Sequence, residues 1–110
     1  MIKSETVFAL ENANWPALLV DAAGGIRAAS QGARTAFGQI ITTRPQLGQS
    51  IWSRENEQAP EEFFASYDEI NEKTHELRFK GPDGSTSTFQ THICTLRVGE
   101  EDLFLLQIFK

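Results

Sequence analysis

The chain has 110 residues, a formal net charge of −5 and 40% hydrophobic residues. That is one domain, long enough to bury roughly two-thirds of the surface its unfolded form exposes without a disulfide or metal staple. Its 10 Lys and Arg are scattered along the chain, so the basic stripe that phosphate contact needs is missing and nucleic-acid binding is argued against. The single Cys94 forms no internal bridge and fits a reducing compartment. No apolar run approaches the ~20 residues of a membrane span, and the N-terminus lacks a signal-peptide core. A soluble, cytoplasmic domain is expected.

Residues 4–14 predict an N-terminal helix, with Ser4 as cap, Glu5 in the first turn and Val7, Phe8 and Leu10 apolar. Pro16 holds Trp15 extended, so this helix stops before it. The compact apolar run Ala17–Ala22, ending in Asp21, predicts a strand. Ala23-Gly24-Gly25 supplies the backbone freedom of a hairpin, and Ile26–Ala29 reads as its second strand. Ser30 then caps a short helix with Ala33, Ala36 and Phe37 at i, i+3, i+4 spacing, closed by Gly38.

Gln39–Gln46 reads as a connector, followed by the apolar segment Leu47–Trp52. Pro60 suits the first position of a helix over Pro60–Lys73. Glu61 and Glu62 stand in its first turn, and Phe63, Phe64, Tyr67 and Ile70 form an apolar stripe. The last third is a strand meander. His75–Lys80 alternates, with Leu77 and Phe79 on one face and Arg78 and Lys80 on the other. Gly81-Pro82-Asp83-Gly84 is a turn. Thr86–Val98 is a long strand with Phe89, Thr91 and Ile93 on one face. Gly99–Asp102 turns the chain again, and Leu103–Phe109 reads as a central strand covered on both sides.

Catalytic constellations are scarce. No nucleophile elbow, phosphate-binding glycine loop or metal-spaced Cys/His cluster occurs in the sequence. His75 and His92 flank a turn between strands and approach each other only if they face the same side. Periodicity alone supports an α+β domain with an antiparallel sheet, and with these motifs missing no enzyme is expected. The carboxylate nearest to an acid/base role is Asp21, at a strand end where such groups ordinarily bond the backbone.

From Asp21 through Gly25, Ile26, Ser30, Ala33 and Phe37-Gly38, the chain resembles the start of a PAS domain. That family's first strand ends in Asp, a Gly-containing turn follows, and the next strand runs into a helix closed by Phe-Gly. Leu47-Gly48 and the strand-and-turn Phe79–Gly84 extend the resemblance over essentially the whole chain. The resemblance implies a five-stranded antiparallel sheet in order 2-1-5-4-3 with helices on one face. It divides the chain into an N-terminal cap helix (1–15) and the PAS domain proper (16–110).

As function, it implies a sensory and dimerising input module of a signal-transduction protein, a histidine kinase or cyclic-dinucleotide enzyme of a two-component type of system. A small ligand would bind between sheet and helices, lined by Trp52, Phe63, Tyr67, Phe79, Thr91 and Gln107, and Val7, Phe8 and Leu10 would form a homodimer contact. The alternative is a ligand-free module that only joins two chains, its interior filled by its own Trp52, Phe63 and Tyr67. A small α+β enzyme is the third reading.

No cofactor is required by these residues. Ile51 stands nearest the position of the reactive cysteine of the flavin-binding light sensors, so adduct photochemistry is not expected. Gln107 echoes the last-strand glutamine that meets the flavin ring in that branch. The helix that carries the haem ligand in haem-binding relatives has no histidine here, and His75 falls just past its end. PAS domains usually continue beyond the last strand into a coiled coil or effector, so a C-terminal effector of a longer parent protein is the expected partner.

Overall fold

The computed structural model of the chain describes residues 14–56, 58–66 and 74–109. The N-terminal helix expected over residues 4–14, with Val7, Phe8 and Leu10, falls outside the described residues except at its last position, as does Tyr67. Strands β1 (Ala17–Asp21), β2 (Ile26–Ala29), β3 (Thr74–Lys80), β4 (Thr86–Val98) and β5 (Glu101–Phe109) form one sheet in the order β2-β1-β5-β4-β3. All described strand pairs are antiparallel. Helices α1 (Gln31–Phe37), α2 (Ile40–Thr43) and α3 (Pro60–Ala65), with 3₁₀ turns at Leu47–Gln49 and Arg54–Asn56, link the β1–β2 hairpin to the β3–β5 meander.

The hairpin turn is built by Asp21. Its Oδ1 accepts hydrogen bonds from the N–H groups of Ala23 (3.0 Å) and Gly25 (2.8 Å). Gly24 takes φ of 86°, a conformation that strains any residue with a Cβ. A bulge between Leu19 and Val20 follows, so that Val20 pairs with Ile26 and Arg27 is the extra residue. The Arg27 guanidinium bonds both Glu101 and Asp21, tying the hairpin to the start of β5. Those bonds, to Glu101 first and Asp21 second, hold its pKa above the ordinary arginine value.

Ser30 does more than cap α1. Its Oγ accepts from the N–H of Ala33 (3.0 Å) and of Ala17 (2.8 Å), and its hydroxyl donates to the Trp15 carbonyl (2.6 Å). One buried hydroxyl thus latches the chain's entry, the first strand and the first helix.

Two expectations are corrected in detail. The Gln39–Gln46 connector contains a helical turn, α2, because Ile41 is drawn into the core and Arg44 N–H bonds Ile40 O at 2.8 Å. The last turn is tighter than Gly99–Asp102: Val98 already pairs with Glu101, leaving Gly99-Glu100 as a two-residue connection with Gly99 at φ 65°. The helix expected to begin at Pro60 does so. Ala59 N–H is met by the Glu62 carboxylate (3.2 Å), and the helix is described to Ala65.

Cross-strand partners share a sheet face, since side chains alternate along each strand. The inner face carries Leu18, Val20, Phe104, Leu106, Ile108, Ile93, Leu77 and Phe79, packed with Ala33, Phe37, Ile41, Leu47, Ile51, Trp52, Phe63 and Phe64 into a single core. The described helices therefore pack on one face. The outer face carries Ala17, Leu19, Leu103, Leu105, Gln107 and Phe109 along β1 and β5, and Gln90, His92, Cys94 and Leu96 along β4. β5 is central, as expected: Phe104, Leu106 and Ile108 are buried on the inner face, while on the outer face Leu103 is buried and exposure rises to 47% at Phe109.

Candidate functional site

The space between sheet and helices is occupied by aromatic rings. Trp52 lies 5.6 Å from Phe63, 6.4 Å from Phe64 and 6.1 Å from Phe79, centroid to centroid. Phe64 stacks on Phe104 at 4.6 Å, while Phe37, Phe79 and Phe89 meet one another at 5.8 Å. The indole N–H of Trp52 donates to the Gln58 carbonyl (2.7 Å), and its backbone bridges to Phe79 at the sheet edge. A tryptophan so held is part of the frame: its polar edge is satisfied by the backbone and its ring faces the core.

Of the six residues expected to line an interior site, Trp52, Phe63 and Phe79 are brought into one cluster, and Thr91 joins their face of the sheet. Thr91 sits opposite His75 on β3 and Ile108 on β5. His75 in turn lies edge-on to Phe63 at 5.2 Å. Thr91 is fully buried, and among the described residues its hydroxyl has no hydrogen-bond partner. A buried hydroxyl without a partner is costly, by about 1–3 kcal/mol.

Gln107 does not belong to this set. It pairs with Ala17 and His92 on the outer face, so a ring held between sheet and helices is out of its reach. The expectation of a glutamine in the interior is thereby corrected. Ile51, fully buried in the core, has no nucleophilic group to offer a flavin.

His75 and His92 project from opposite faces of the sheet, so they cannot form a metal pair. Among the described residues no three His, Cys, Asp or Glu side chains come together as metal ligands. Asp21, the carboxylate nearest to an acid/base role, has Oδ1 engaged by two backbone N–H groups and Oδ2 by Arg27 at 3.1 Å. No described helix is long and apolar enough to cross a membrane.

The sequence pattern did not single out Phe64 and Phe89 as members of the ring cluster, although Phe64 was visible in the stripe that begins α3. Nor did it reveal an open groove of about 520 Å³ at the other end of α3, lined by Gln46, Gly48, Gln49, Trp52, Arg54, Gln58 and Glu61 with Ala23, Ala59 and Pro60. Its walls come from the β1–β2 turn, the Leu47–Asn56 segment and the start of α3, three stretches whose adjacency no local spacing encodes.

No protein-family model matches the chain, and no curated protein matches it in sequence. Solved structures do match in fold. The PAS domain of an HTR-like protein from Haloarcula marismortui superposes with a TM-score of 0.69 at 18% identity, covering 96% of this chain and 88% of that one. A PAS domain from Desulfitobacterium hafniense gives 0.68 at 14% identity, covering 90% and 94%. A PAS domain from a two-component sensor histidine kinase gives 0.56 at 12% identity, covering 94% and 91%. With the strand order and the one-sided helices, these similarities define the class: the chain is a five-stranded α+β domain with the PAS fold.

Proposed function

We propose that the chain is the sensory input module of a signal-transduction protein, working by a shift between two packings of its interior. The observation that carries this reading is the fully buried hydroxyl of Thr91, without a partner among the described residues, on the face that the ring cluster covers. A small ligand able to hydrogen-bond that hydroxyl would favour one arrangement of Phe63, Trp52 and Phe79 over another, and so bias the equilibrium. The likeness to the PAS domain of a two-component sensor histidine kinase supports an effector of that type, or a cyclic-dinucleotide enzyme, in a longer parent protein. A non-catalytic role in the cytoplasm goes with this reading. It is supported by the engagement of both Asp21 oxygens and by a lone cysteine.

A second reading is favoured by the density of rings. With Trp52, Phe63, Phe64, Phe79 and Phe104 linked ring to ring through Trp52 and Phe64, the interior is filled by the chain itself, and the module joins two chains without a ligand. In both readings homodimerisation uses Val7, Phe8 and Leu10. The half-exposed Trp15 and Phe109, each next to a residue of the Pro16–Ile108 backbone hydrogen bond, supply further apolar surface.

A native mass spectrum of freshly purified protein tests both. A dimer carrying extra mass supports the ligand-sensing reading and identifies the ligand class. A dimer of bare chains supports the self-filled module. A bare monomer overturns homodimerisation through this chain.

A further inference from the structure

Of the four buried polar side chains among the described residues, three are engaged by the backbone. The Ser30 hydroxyl bonds three backbone groups, that of Ser50 donates to the Gln46 carbonyl (2.8 Å), and that of Ser53 accepts from the Glu55 N–H (3.1 Å). Thr91, the fourth, is 0% exposed, and its hydroxyl has no partner among the described residues. No described Asp, Glu, Lys or Arg is buried, so a charged guest would meet no buried counter-charge.

Phe63 is the ring best placed to give way. At 9% it is the most exposed of the buried rings. It touches Trp52 (5.6 Å), Phe64 (5.3 Å) and, on the sheet, His75 (5.2 Å), centroid to centroid. His75 is the cross-strand partner of Thr91, so the place of the Phe63 ring and the hydroxyl are joined through one strand pairing on the same face. A bare ring that took the place of Phe63 would only regain the apolar contacts the displaced phenyl gives up. A ring bearing one hydroxyl or amide would gain those contacts and a hydrogen bond to Thr91, whose hydroxyl both donates and accepts.

We propose that Phe63 is a built-in plug, and that the interior ligand is a neutral, single-ring aromatic with one hydrogen-bonding group that takes the plug's place and bonds Thr91. This rests on the ligand-sensing reading and names its ligand class. Exchanging one ring for another keeps the core filled in both states and reorients Phe63 on α3, which gives the two packings between which a ligand shifts the population.

The test is a titration of the full ¹⁵N-labelled chain with phenol, benzene and benzoate at neutral pH. It is read at the Trp52 indole N–H and the Thr91 amide, with the exposed Trp15 indole as internal control. In the parent protein phenol is expected to give saturable shifts at Trp52 and Thr91, and benzene and benzoate none. Phe63→Ala vacates the plug's place, so both neutral rings should then bind, phenol about five- to tenfold more tightly than benzene. Adding Thr91→Val should erase that preference. If Phe63→Ala does not fold, Phe63→Leu carries the same comparison. A phenol preference that survives Thr91→Val, or Phe63 variants that bind the two rings no better than the parent, would overturn the proposal. Saturable benzoate binding at Trp52 would overturn the neutral class and leave the sensory reading standing. No saturable binding of any probe, in parent or variant, would overturn the plug and the ligand-sensing reading together.

Discussion

Asp21 and Gly25 are fitted to each other at the base of the β1–β2 hairpin. The carboxylate Oδ1 accepts the Gly25 N–H at 2.8 Å, and a Cβ added at Gly25 would stand 2.7 Å from Oδ2. The same carboxylate also holds Ala23 N–H and Arg27, so it has no slack with which to retreat. Gly25→Ala is therefore expected to destabilise the protein by about 2 kcal/mol, read from urea unfolding. In an Asp21→Ala background the same change should cost less, because the clash and the bonds have already gone. Equal costs in the two backgrounds would show that the fit is not what matters.

Ser30→Ala removes an acceptor from two backbone N–H groups and a donor from the Trp15 carbonyl in one substitution. Helix-cap loss alone costs about 1 kcal/mol, and an unsatisfied buried N–H adds more. A total of about 2–4 kcal/mol is expected in equilibrium denaturation. A loss well under 1 kcal/mol would mean that water replaces the hydroxyl.

Thr91→Val keeps the shape of a fully buried side chain and deletes a hydroxyl that has no partner among the described residues. In ligand-free protein this substitution should raise stability by about 1 kcal/mol, visible as an increased urea midpoint at constant m-value. Destabilisation would reveal that the hydroxyl is solvated or bound inside the folded domain.

Phe64→Ala opens the stack with Phe104 and the contacts with Trp52 and Phe63. A loss of about 3–5 kcal/mol is expected for a buried phenylalanine. The cavity left behind is apolar, and such cavities admit small aromatic molecules. Added benzene should recover part of the melting temperature in this variant and leave the parent protein unchanged.

Asn56 closes the free edge of the sheet. Its amide mimics a neighbouring strand, accepting from Arg78 N–H at 2.7 Å and donating to Arg78 O at 2.8 Å. Asn56→Ala should cost about 1 kcal/mol. It should also speed amide exchange at Arg78 selectively, since the edge N–H then faces solvent. Unchanged exchange at Arg78 would refute the edge-closing role.

Much of the architecture was legible because it rests on local chemistry. Asp21 with Gly24 and Gly25 writes a hairpin, Ser30 writes a helix start, and Gly81-Pro82-Asp83-Gly84 writes a turn. The alternation of Leu77 and Phe79 with Arg78 and Lys80 writes a half-buried strand, and the structure keeps all of these. The candidate interior was legible only in part: Trp52, Phe63, Phe79 and Thr91 meet on one face, and Gln107 does not.

Gln107 shows why the rest was hidden. Leu103–Phe109 is apolar at six of seven positions, so it carries no alternation from which a face can be read. Its phase is set by pairing: Leu106 lies opposite Leu18 on one side and Ile93 on the other, which turns Gln107 outward. Sequence alone determined the order of the strands, the β1–β2 and β3–β4 turns and the Ser30 cap, since these depend on residues a few positions apart. Only the tertiary structure decided which face of β5 meets the helices, how Ser30 joins three elements, and that three glutamines, Arg54 and Glu61 share one groove. Those relations are made by packing between distant segments, where register and burial choose among arrangements that local propensity leaves equal.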